Sequence, residues 1–472
     1  MPRIRAAVSD REAQHAEQQG RLKRRASDSA RDGDSGIEND QRVGPDVKRR
    51  RIQGTKHEGH VKATAEATAG GQAAQSKLPS SAPIDLTTSE NWLMRDEMLE
   101  LTCEGIVQGL GPNHLSYPGG LAGDPELLSS LAVFFNEYFA PRRPVEAGHI
   151  MVGPGAAGAL DALIYNICDP GDGILLPAPC WNAFDFILRA RTGITLLPVA
   201  VDSDDLRDSL TADGGLIEAL ERTMASRTCN VRALLLVNPN NPLGRCYPRQ
   251  VLEECIRFCE RHNIHFVSDE IYALTSYTAP DLPDPVPFVS ALSLDLGALG
   301  CDPSRVHIIW SISKDLGQNG FRMGCLISQA NETVRTGASL WSTHTVSSLT
   351  AVAVEHILRS PRLKDLLRAN SDRLTAAYDA LTKVLRKHDV KYVPANAGLY
   401  VFAQIVPGAK SWDEETAAVG RLKEAGVLVS AGRGYHTSES CMGWARIGFS
   451  VPPKVLREAL SRLDAYFSAN VN

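Results

Sequence analysis

A single lysine lies between small hydroxyl residues and an arginine in the stretch SISKDLGQNGFRMG, residues 311–324. Ser311 and Ser313 lie just before Lys314, separated from each other by one residue, and Arg322 follows within the same stretch. A lysine amine in a desolvated site is neutral and nucleophilic, and two hydroxyls with a guanidinium are suitable ligands for a phosphate group. Because short motifs often arise by chance, the same residues taken alone could form a solvated loop after a strand.

Polar residues also follow two other apolar runs of the chain. NPNNPLG (238–244) follows the run RALLLV, and SDEIY (268–272) follows IHFV, just as SISK follows VHIIW. In an open sheet of parallel strands, ligands bind beyond the carboxyl ends of the strands. We therefore expect Asn241, Asp269 and Lys314 to lie in one cleft, and three converging strand ends indicate a site more strongly than any one motif.

The elements that must position these residues are short β-rich runs that alternate with amphipathic stretches from about residue 83 onward. The runs are GILLPAP, RALLLVNP, IHFVSDE and VHIIWS. In the segment 248–263, one helical face collects Val251, Leu252, Cys255, Ile256 and Cys259. Strands that alternate with helices predict an α/β fold with a mostly parallel, buried sheet. From about residue 350 the pattern indicates a second, smaller α/β unit with a long helical run at 363–388.

The residues at the three strand ends match the needs of one cofactor type, an anionic pyridine that carries an aldehyde. Such a cofactor needs an amine for the aldehyde, a carboxylate for the ring nitrogen, donors for the phenolate oxygen and a cradle for the phosphate. The residues that we predict for these four functions are, in that order, Lys314; Asp269; Tyr272 and Asn241; and Ser311, Ser313 and Arg322.

Two further segments complete the predicted site. VGPGAAGALDAL (152–163) is a glycine-rich turn that leads into a helix, where free backbone N–H groups favour an anion. Trp181, in LPAPCWNAF, is a candidate to stack on the ring face. Ordinary structural alternatives exist: Asp269 as a helix N-cap, Asn241 as a turn residue and Trp181 as a core aromatic. We prefer the cofactor site because the alternatives require independent coincidences in one cleft.

Charge and composition divide the chain into two regions. Residues 1–80 contain sixteen Lys plus Arg, eleven Asp plus Glu and no Phe, Trp or Tyr. A segment without aromatic residues buries too little apolar surface to fold, so we predict a disordered basic tail over 1–82. Its clusters RLKRR (21–25) and KRRR (48–51) are either a nuclear address or, more simply, a solvated tail. The net charge of −5 is too small to indicate nucleic acid as the main partner.

Neither a membrane span nor a leader is apparent in the sequence. No apolar run approaches the roughly 20 residues that cross a bilayer, and the first residues are charged rather than apolar. The ten cysteines occur singly, without metal-ligand spacing, and Cys255 and Cys259 fit core packing. We expect free thiols in a reducing compartment, and hence a cytoplasmic protein with no metal site and no membrane partner.

These motifs together resemble the pyridoxal-phosphate (PLP) enzymes of the class I/II aminotransferase family, from about residue 83 to about residue 465. The resemblance implies PLP-dependent transferase fold type I, in which a large domain with a mostly parallel sheet of the seven-stranded type precedes a smaller α/β domain. It implies that Lys314 holds the cofactor aldehyde covalently and that Ala156 and Ala157 bind phosphate. Arg446, in GRGYHTSESCMGWARIGFS, would bind the substrate α-carboxylate beside Asn241.

Within this family the chain most resembles the 1-aminocyclopropane-1-carboxylate (ACC) synthase branch. IDLTTSENWL (84–93) is similar to the amino-terminal motif of that branch, which implies that Glu90 reaches the substrate. The ring-stacking position has Trp181, as in ordinary aminotransferases. The resemblance also implies a homodimer with its active site at the interface, and Tyr117, in LSYPGGLAGDPEL, is the candidate tyrosine that reaches the cofactor of the neighbouring subunit.

The implied function is that of a PLP-dependent enzyme acting on a small α-amino acid, with Lys314, Asp269 and Tyr272 as the catalytic residues. The predicted reaction is an elimination or γ-displacement on a sulfur- or sulfonium-bearing amino acid such as S-adenosylmethionine, including carbon–sulfur cleavage. Two alternatives remain open. One is an aminotransferase that uses a 2-oxo acid, and the other is a catalytically silent scaffold with a regulatory tail.

The same resemblance implies the domain organisation beyond the tail. Residues 83–130 form an amino-terminal segment that packs with the small domain. Residues 131–350 form the large domain that binds the cofactor, and residues 351–472 form the small domain.

Overall fold

The computed structural model describes residues 82–201, 205–206, 210 and 215–470. The predicted disordered tail lies outside the described residues, except for residue 82. In the described part, strands and helices alternate along the chain, as the hydrophobic patterning predicts.

The strands of the described residues are β1 (Ile84–Asp85), β2 (Ile150–Pro154), β3 (Gly173–Pro177), β4 (Thr195–Val199), β5 (Val231–Val237), β6 (His265–Asp269), β7 (Val306–Ser311), β8 (Met323–Ile327), β9 (Tyr400–Gln404), β10 (Val427–Leu428), β11 (Ser430–Ala431) and β12 (Trp444–Gly448). The α-helices are α1 (Arg95–Gly109), α2 (Pro125–Tyr138), α3 (Gly155–Ile167), α4 (Phe184–Ala190), α5 (Leu216–Ala225), α6 (Arg249–His262), α7 (Ile312–Asp315), α8 (Glu332–Trp341), α9 (Ser348–Arg359), α10 (Leu363–Lys387), α11 (Trp412–Glu424) and α12 (Pro453–Asn470).

Seven strands form the central sheet, in the order β2-β8-β7-β6-β5-β3-β4. Neighbouring strands are parallel except at β8, which is antiparallel to both β2 and β7. The runs that the sequence marked as strands are β3, β5, β6 and β7, and the last three are direct neighbours. Their carboxyl ends therefore meet at one edge, and the predicted α/β fold with a mostly parallel sheet is confirmed.

Burial on both faces explains why the central strands are nearly continuous apolar runs. In β5, six of the seven residues are buried. Leu234 and Leu236 belong to the apolar cluster on one face of the sheet, whereas Ala233 and Leu235 belong to the cluster on the other. This division follows from the alternation of side chains along a strand.

The predicted amphipathic helix is α6. The five residues that the sequence assigned to its apolar face are all buried. The helix ends at Asn263, whose φ of 51° is left-handed, a conformation that asparagine adopts more readily than most residues.

A separate apolar cluster surrounds the C-terminal strands. β11, β12 and β9 form an antiparallel sheet, and β1 pairs in parallel with β10. The cluster contains residues between Leu374 and Phe467, together with Ile84, Leu86 and Leu93 of the amino-terminal segment. By contrast, α1 and α2 pack against α9 within the larger cluster. The predicted domain boundaries at 130/131 and 350/351 stay predictions.

Two further features of the structure concern membrane spans and the cysteines. Among the residues that the structure describes, no helix combines the length and the apolar character that a bilayer span needs. All ten cysteines are free thiols, and Cys255 and Cys259 are buried core residues of α6, as predicted.

Candidate active site

Lys314 lies in the short helical turn α7, which begins where β7 ends. Ser311, the last residue of β7, caps this turn because its Oγ accepts the backbone N–H of Ser313 at 3.0 Å. The same hydroxyl donates to Oγ of Ser313 at 2.7 Å, and both serines are buried. The sequence motif is therefore a strand end followed by a capped turn, which fixes the backbone from which Lys314 extends.

Asp315 anchors this turn from inside the protein. Its carboxylate is fully buried and accepts Nε1–H of Trp310 at 2.7 Å and the backbone N–H of Leu274 at 3.1 Å. Burial raises the pKa of Asp315, and the two donors oppose that rise. Because these bonds join the turn to β7 and to the segment after β6, Lys314 has a rigid base.

The amine of Lys314 has an acceptor in the amino-terminal segment. Nζ donates to the backbone oxygen of Ser89. Burial, together with the charge of Arg446, lowers the pKa of Lys314 to about 8, although Glu90 opposes these effects. A large fraction of this amine is therefore neutral at mildly alkaline pH, where an exposed lysine would be protonated.

Asp269 ends β6, next to the carboxyl end of β7. Its carboxylate is buried, and Oδ1 accepts the backbone N–H of Ile271 at 3.3 Å. A turn follows rather than a helix, so Asp269 is not a helix N-cap. Burial raises the pKa of Asp269 to about 7, whereas the bond from Ile271 and the charge of Lys314 lower it. A carboxylate in this position is strongly stabilised by a cationic partner.

Tyr272 lies in the turn after Asp269 and is buried. Its ring packs edge-to-face on Tyr400, with 5.5 Å between the centroids. Burial raises the pKa of Tyr272 to about 12, and the neighbouring Arg446 and Ser89 lower it. The phenol therefore stays protonated at neutral pH and is available as a hydrogen-bond donor.

Arg446, on β12, is a buried cation held by a side-chain amide, a backbone oxygen and two aromatic rings. Nη1 donates to Oδ1 of Asn241 at 2.8 Å, and Nη2 donates to the backbone oxygen of Thr87 at 2.5 Å. The guanidinium lies 4.8 Å from the ring of Tyr400 and 5.2 Å from the ring of Tyr435. Its Nε is buried and has no hydrogen-bond partner. An orphaned donor on a buried cation is costly and indicates a position for an anion.

Arg322 lies against the start of α3. Its Nη2 donates to the backbone oxygen of Pro154 at 3.2 Å. The helix begins at Gly155, with φ of 77°, and no side chain caps its first N–H groups. A β-carbon at Gly155 would overlap the guanidinium of Arg322. The uncapped N–H groups in the turn of Ala156 and Ala157 and the guanidinium are therefore neighbours, an arrangement that suits an anion.

Residues 84–93, which we call the covering segment, run across the group formed by Lys314 and Arg446. Backbone oxygens of this segment accept from both cations, at Ser89 and Thr87 respectively. The fully buried Asn91 joins the segment to the lysine turn, because Nδ2 donates to the backbone oxygen of Lys314 at 3.4 Å.

Glu90 of the covering segment is paired with a cation. Nη2 of Arg95 lies 2.6 Å from Oε2 of Glu90. The guanidinium of Arg95 also lies 3.3 Å from the ring centroid of Trp92. Glu90 nevertheless lies close enough to Lys314 to raise the pKa of that amine.

Two predicted residues lie outside this hydrogen-bonded group. Trp181 follows β3 and packs edge-to-face on Phe184, with 5.3 Å between the rings. The preceding backbone N–H, of Cys180, donates to the oxygen of Tyr435 at 2.8 Å, so Trp181 adjoins the loop that contacts Arg446. Tyr117 is 83% exposed, and its ring centroid lies 4.9 Å from that of His344.

Comparison with known proteins decides the family. A family model described as aminotransferase class I and II matches residues 95–463. The chain belongs to this family. It is a PLP-dependent enzyme of the kind that the sequence resemblance implied, since the whole family depends on that cofactor.

Three individual proteins show how far this similarity extends. The chain is 50% identical over 386 residues to the probable aminotransferase aclI of Aspergillus oryzae, covering 82% of this chain and 91% of that protein. It is 32% identical over 342 residues to 1-aminocyclopropane-1-carboxylate synthase 7 of Arabidopsis thaliana, covering 71% and 74% respectively. A solved aspartate aminotransferase double mutant of Thermus thermophilus superposes with a TM-score of 0.68 at 24% identity, covering 89% of this chain and 100% of that one. This last likeness shows an aspartate-aminotransferase-like fold and confirms the predicted PLP-dependent transferase fold type I.

The residues of this aminotransferase-family site fit PLP. The cleft offers an uncapped helix start beside Arg322, a buried carboxylate at Asp269 and an amine of lowered pKa at Lys314. The glycine at residue 155 lets the guanidinium of Arg322 lie against the start of α3, since a β-carbon there would overlap it. This donor set matches the phosphate, the ring nitrogen and the aldehyde of the cofactor.

Sequence reasoning missed Tyr400, Tyr435 and Ser89. Tyr400 had a usable signal, because Arg446 pairs with Phe402 in the antiparallel ladder and Tyr400 lies two residues away on the same face. Tyr435 and Ser89 had none, since their contacts join loops that are far apart in the sequence.

The lowered pKa of Lys314 predicts a pH dependence of its reaction with an aldehyde. The rate at which cofactor-free protein binds PLP covalently should rise with pH through about 8, because only the neutral amine reacts and the folded-state pKa lies near that value. Stopped-flow absorbance between pH 6 and pH 10, with a free lysine derivative as the control, measures this. A midpoint near 10.5, the ordinary value of lysine, would contradict it.

Proposed function

We propose that this enzyme cleaves the carbon–sulfur bond of a sulfur-bearing α-amino acid. The observation that carries the proposal is that the amine of Lys314 and the guanidinium of Arg446 both donate to the covering segment. An α-amino acid that enters between these two cations and the covering segment would displace the backbone oxygens of Ser89 and Thr87. Arg446 would then bind the substrate carboxylate, and the amine of Lys314 would lie beside the α-carbon. It would then be oriented for removal of the α-proton.

Bound PLP supplies an electron sink for the charge that remains when the α-proton leaves. Arg322, Ser311, Ser313 and the start of α3 would hold the phosphate, and Asp269 would keep the ring nitrogen protonated. Tyr272 and Asn241 would donate to the phenolate oxygen. Arg446 would bind the carboxylate in a bidentate manner, and its orphaned Nε supports that role.

Lys314 would act as the general base. Burial and Arg446 lower the pKa of its amine, so a neutral form is available close to physiological pH. Asp315 and the cap on Ser311 hold the turn, which limits the amine to a small region beside the α-carbon.

The pairing of Glu90 favours an uncharged sulfur over a sulfonium. A free carboxylate would attract a cationic sulfonium, but Glu90 already pairs with Arg95 at 2.6 Å. An uncharged thioether does not compete with that pair. When the α-proton has passed to Lys314, the β-carbon–sulfur bond breaks, and the sulfur leaves with the bonding electrons as a thiolate that takes up a proton. The three-carbon remainder takes up water and gives pyruvate and ammonium.

Transamination is the second candidate. The name of the Aspergillus oryzae relative and the aromatic type at Trp181 favour it. In that reaction, Lys314 would both remove and return a proton, and no β-substituent would leave. A 2-oxo acid is then needed to complete each cycle.

Product analysis separates these reactions. Holoenzyme is incubated with S-methyl-L-cysteine, S-adenosylmethionine and common amino acids, with and without 2-oxoglutarate. We expect thiol, pyruvate and ammonium in equal amounts from the thioether without any oxo acid. Amino transfer to 2-oxoglutarate without thiol would instead establish an aminotransferase. A cyclopropane amino acid from S-adenosylmethionine would establish γ-displacement, and a cofactor absorbance that no amino acid changes would leave the silent scaffold.

The proposal also includes the oligomeric state of the protein and its location in the cell. We infer a homodimer, and the exposure of Tyr117 fits a side chain that a second subunit covers. Sedimentation of the holoenzyme tests this. A cytoplasmic location, and nuclear entry through the basic tail, stay predictions.

Replacing Gly155 by alanine should weaken PLP binding. The φ of 77° is unfavourable for alanine, and the added β-carbon would displace the guanidinium of Arg322. We expect about tenfold weaker binding, since a loss of one charge-assisted hydrogen bond is of that order. Titration of cofactor-free protein with PLP measures it. Gly420→Ala, in α11 with open space around it, is the matched control, and equal affinities of the two variants would refute the expectation.

A further inference from the structure

The loop between β11 and β12, residues 432–443, contacts both sides of the substrate position. On one side, the ring of Tyr435 lies 5.2 Å from the guanidinium of Arg446. On the other side, the backbone oxygen of Tyr435 accepts the N–H of Cys180 at 2.8 Å, next to Trp181. His436 adds an ion pair, in which Nε2 lies 2.8 Å from Oδ2 of Asp185 on α4.

A single buried carboxylate holds both ends of this loop. Glu415, on α11, is fully buried. Its Oε1 accepts the backbone N–H of Arg433 at 2.8 Å, and its Oε2 accepts the backbone N–H of Gly443 at 2.8 Å. Burial raises the pKa of Glu415, and the backbone donors oppose that rise. Each carboxylate oxygen therefore fixes one end of the loop.

The loop has little freedom to adopt another path while these bonds persist. Gly443 has φ of 84°, and a β-carbon there would overlap the backbone oxygen of Val406. At the other end, Oγ1 of Thr437 donates to the backbone oxygen of Gly432 at 3.0 Å. The position of Tyr435 therefore depends on the two ends that Glu415 holds, as well as on the contacts with Cys180 and Asp185.

We propose that Glu415 is a positioning residue that sets the affinity for the substrate α-carboxylate, by holding Tyr435 against Arg446. The hydrogen bonds of Glu415 go to backbone N–H groups of Arg433, Gly443 and Trp444, so we assign it a role that acts through the loop. The inference rests on the proposed function only in taking Arg446 as the carboxylate ligand. It does not depend on which bond of the substrate is broken.

The chemistry of the carboxylate makes the substitution by glutamine informative. Both oxygens of a carboxylate accept hydrogen bonds, whereas an amide has one oxygen that accepts and one N–H₂ group that donates. In Glu415→Gln, the backbone N–H of either Arg433 or Gly443 would face the N–H₂ group of the amide, which is itself a donor. That end of the loop must move, and the ring of Tyr435 moves with it.

The test measures binding of an amino acid to the holoenzyme. S-methyl-L-cysteine is titrated while the cofactor absorbance is followed, and we expect about tenfold weaker binding to Glu415→Gln, the usual size of the effect of one unsatisfied buried N–H. We expect KM to rise by the same factor while kcat stays close to that of the wild type. PLP affinity should not change. Glu424→Gln, at an exposed site on the same helix, is the control and should bind as the wild type does.

Tyr435 provides an independent arm of the test. Tyr435→Leu should weaken binding as Glu415→Gln does, whereas Tyr435→Phe keeps the ring over Arg446, loses only the 2.9 Å bond to Oγ of Ser430 and should bind normally. The double variant Glu415→Gln/Tyr435→Leu should be no weaker than the weaker single variant, because both act through one contact.

The outcomes separate the two proposals. Unchanged affinity in Glu415→Gln, or additive losses in the double variant, would overturn the positioning role. If Glu415→Gln does not fold, the same titration of Glu415→Asp decides in its place, because the shorter side chain cannot reach the N–H groups of both Arg433 and Gly443. If the wild-type enzyme binds the amino acid but releases no thiol, carbon–sulfur cleavage is refuted. The comparison of binding affinities would still test the positioning role of Glu415.

Discussion

Replacing Lys314 by alanine should lower the turnover of any amino-acid substrate by about 10³- to 10⁴-fold, the range of a lost general base. The amine is the predicted covalent partner of the cofactor and also the base that removes the α-proton. Neither neighbouring carboxylate is expected to replace it, because Asp269 is the predicted partner of the cofactor ring and Glu90 pairs with Arg95. PLP itself should remain bound through Arg322 and the start of α3.

Borohydride reduction followed by peptide mapping measures the covalent link directly. In the wild type, the peptide that contains Lys314 should gain the mass of a pyridoxyl group, and in Lys314→Ala no peptide should. Lys423→Ala, at an exposed position of α11, is the control and should be labelled and active like the wild type. A pyridoxyl group on another lysine of the wild type would show that the site has been assigned to the wrong strand end.

The sequence was sufficient for the part of the site that the parallel sheet positions. β5, β6 and β7 are adjacent, and their carboxyl ends bear Asn241, Asp269 and Lys314 in or just after the last strand residue. Because parallel strands in such a sheet share one direction, runs such as RALLLV and VHIIW predict both the element and the edge at which its polar residues emerge.

The sequence was insufficient where contacts join distant segments. Glu90, which the family resemblance assigned to the substrate, forms an ion pair with Arg95. Nothing in the types of these two residues predicts that they pair. The contact of Tyr435 with Arg446 depends on a loop whose path is fixed by Glu415, on another element. Neither hydrophobic periodicity nor motif spacing contains such information, because side-chain geometry across a loop is decided by tertiary packing.

These same distant contacts decide which reaction the site performs. The cofactor residues at the strand ends are compatible with transamination, elimination and displacement alike, since all begin with loss of the α-proton. The differences lie in the covering segment and in the β11–β12 loop, which surround the substrate rather than the cofactor. A substitution at Glu90 of the covering segment, or at its partner Arg95, should therefore alter the choice of substrate more than the binding of PLP.

Replacing Arg446 by glutamine should lower kcat/KM for α-amino acids by about 10³-fold, or about 4 kcal/mol, which is typical for removing one partner of a buried charge pair. The guanidinium donates to Asn241 and Thr87 and keeps an orphaned Nε, so its remaining donor capacity points to the substrate carboxylate. Arg446→Lys keeps the charge but loses the planar fork, and we expect an intermediate loss.

A substrate without a carboxylate distinguishes this role from general damage to the site. Wild-type enzyme should bind S-methyl-L-cysteine far more tightly than S-methylcysteamine, which lacks the carboxylate, whereas Arg446→Gln should bind both equally weakly. PLP absorbance and thermal unfolding verify that the variant is folded, and Arg457→Gln, at an exposed position of α12, is the control. If Arg446→Gln still preferred the carboxylate-bearing compound by the wild-type factor, another cation would have to bind the carboxylate. Because Arg95 and Arg322 are already engaged by Glu90 and by the start of α3, that result would place the substrate elsewhere in the cleft.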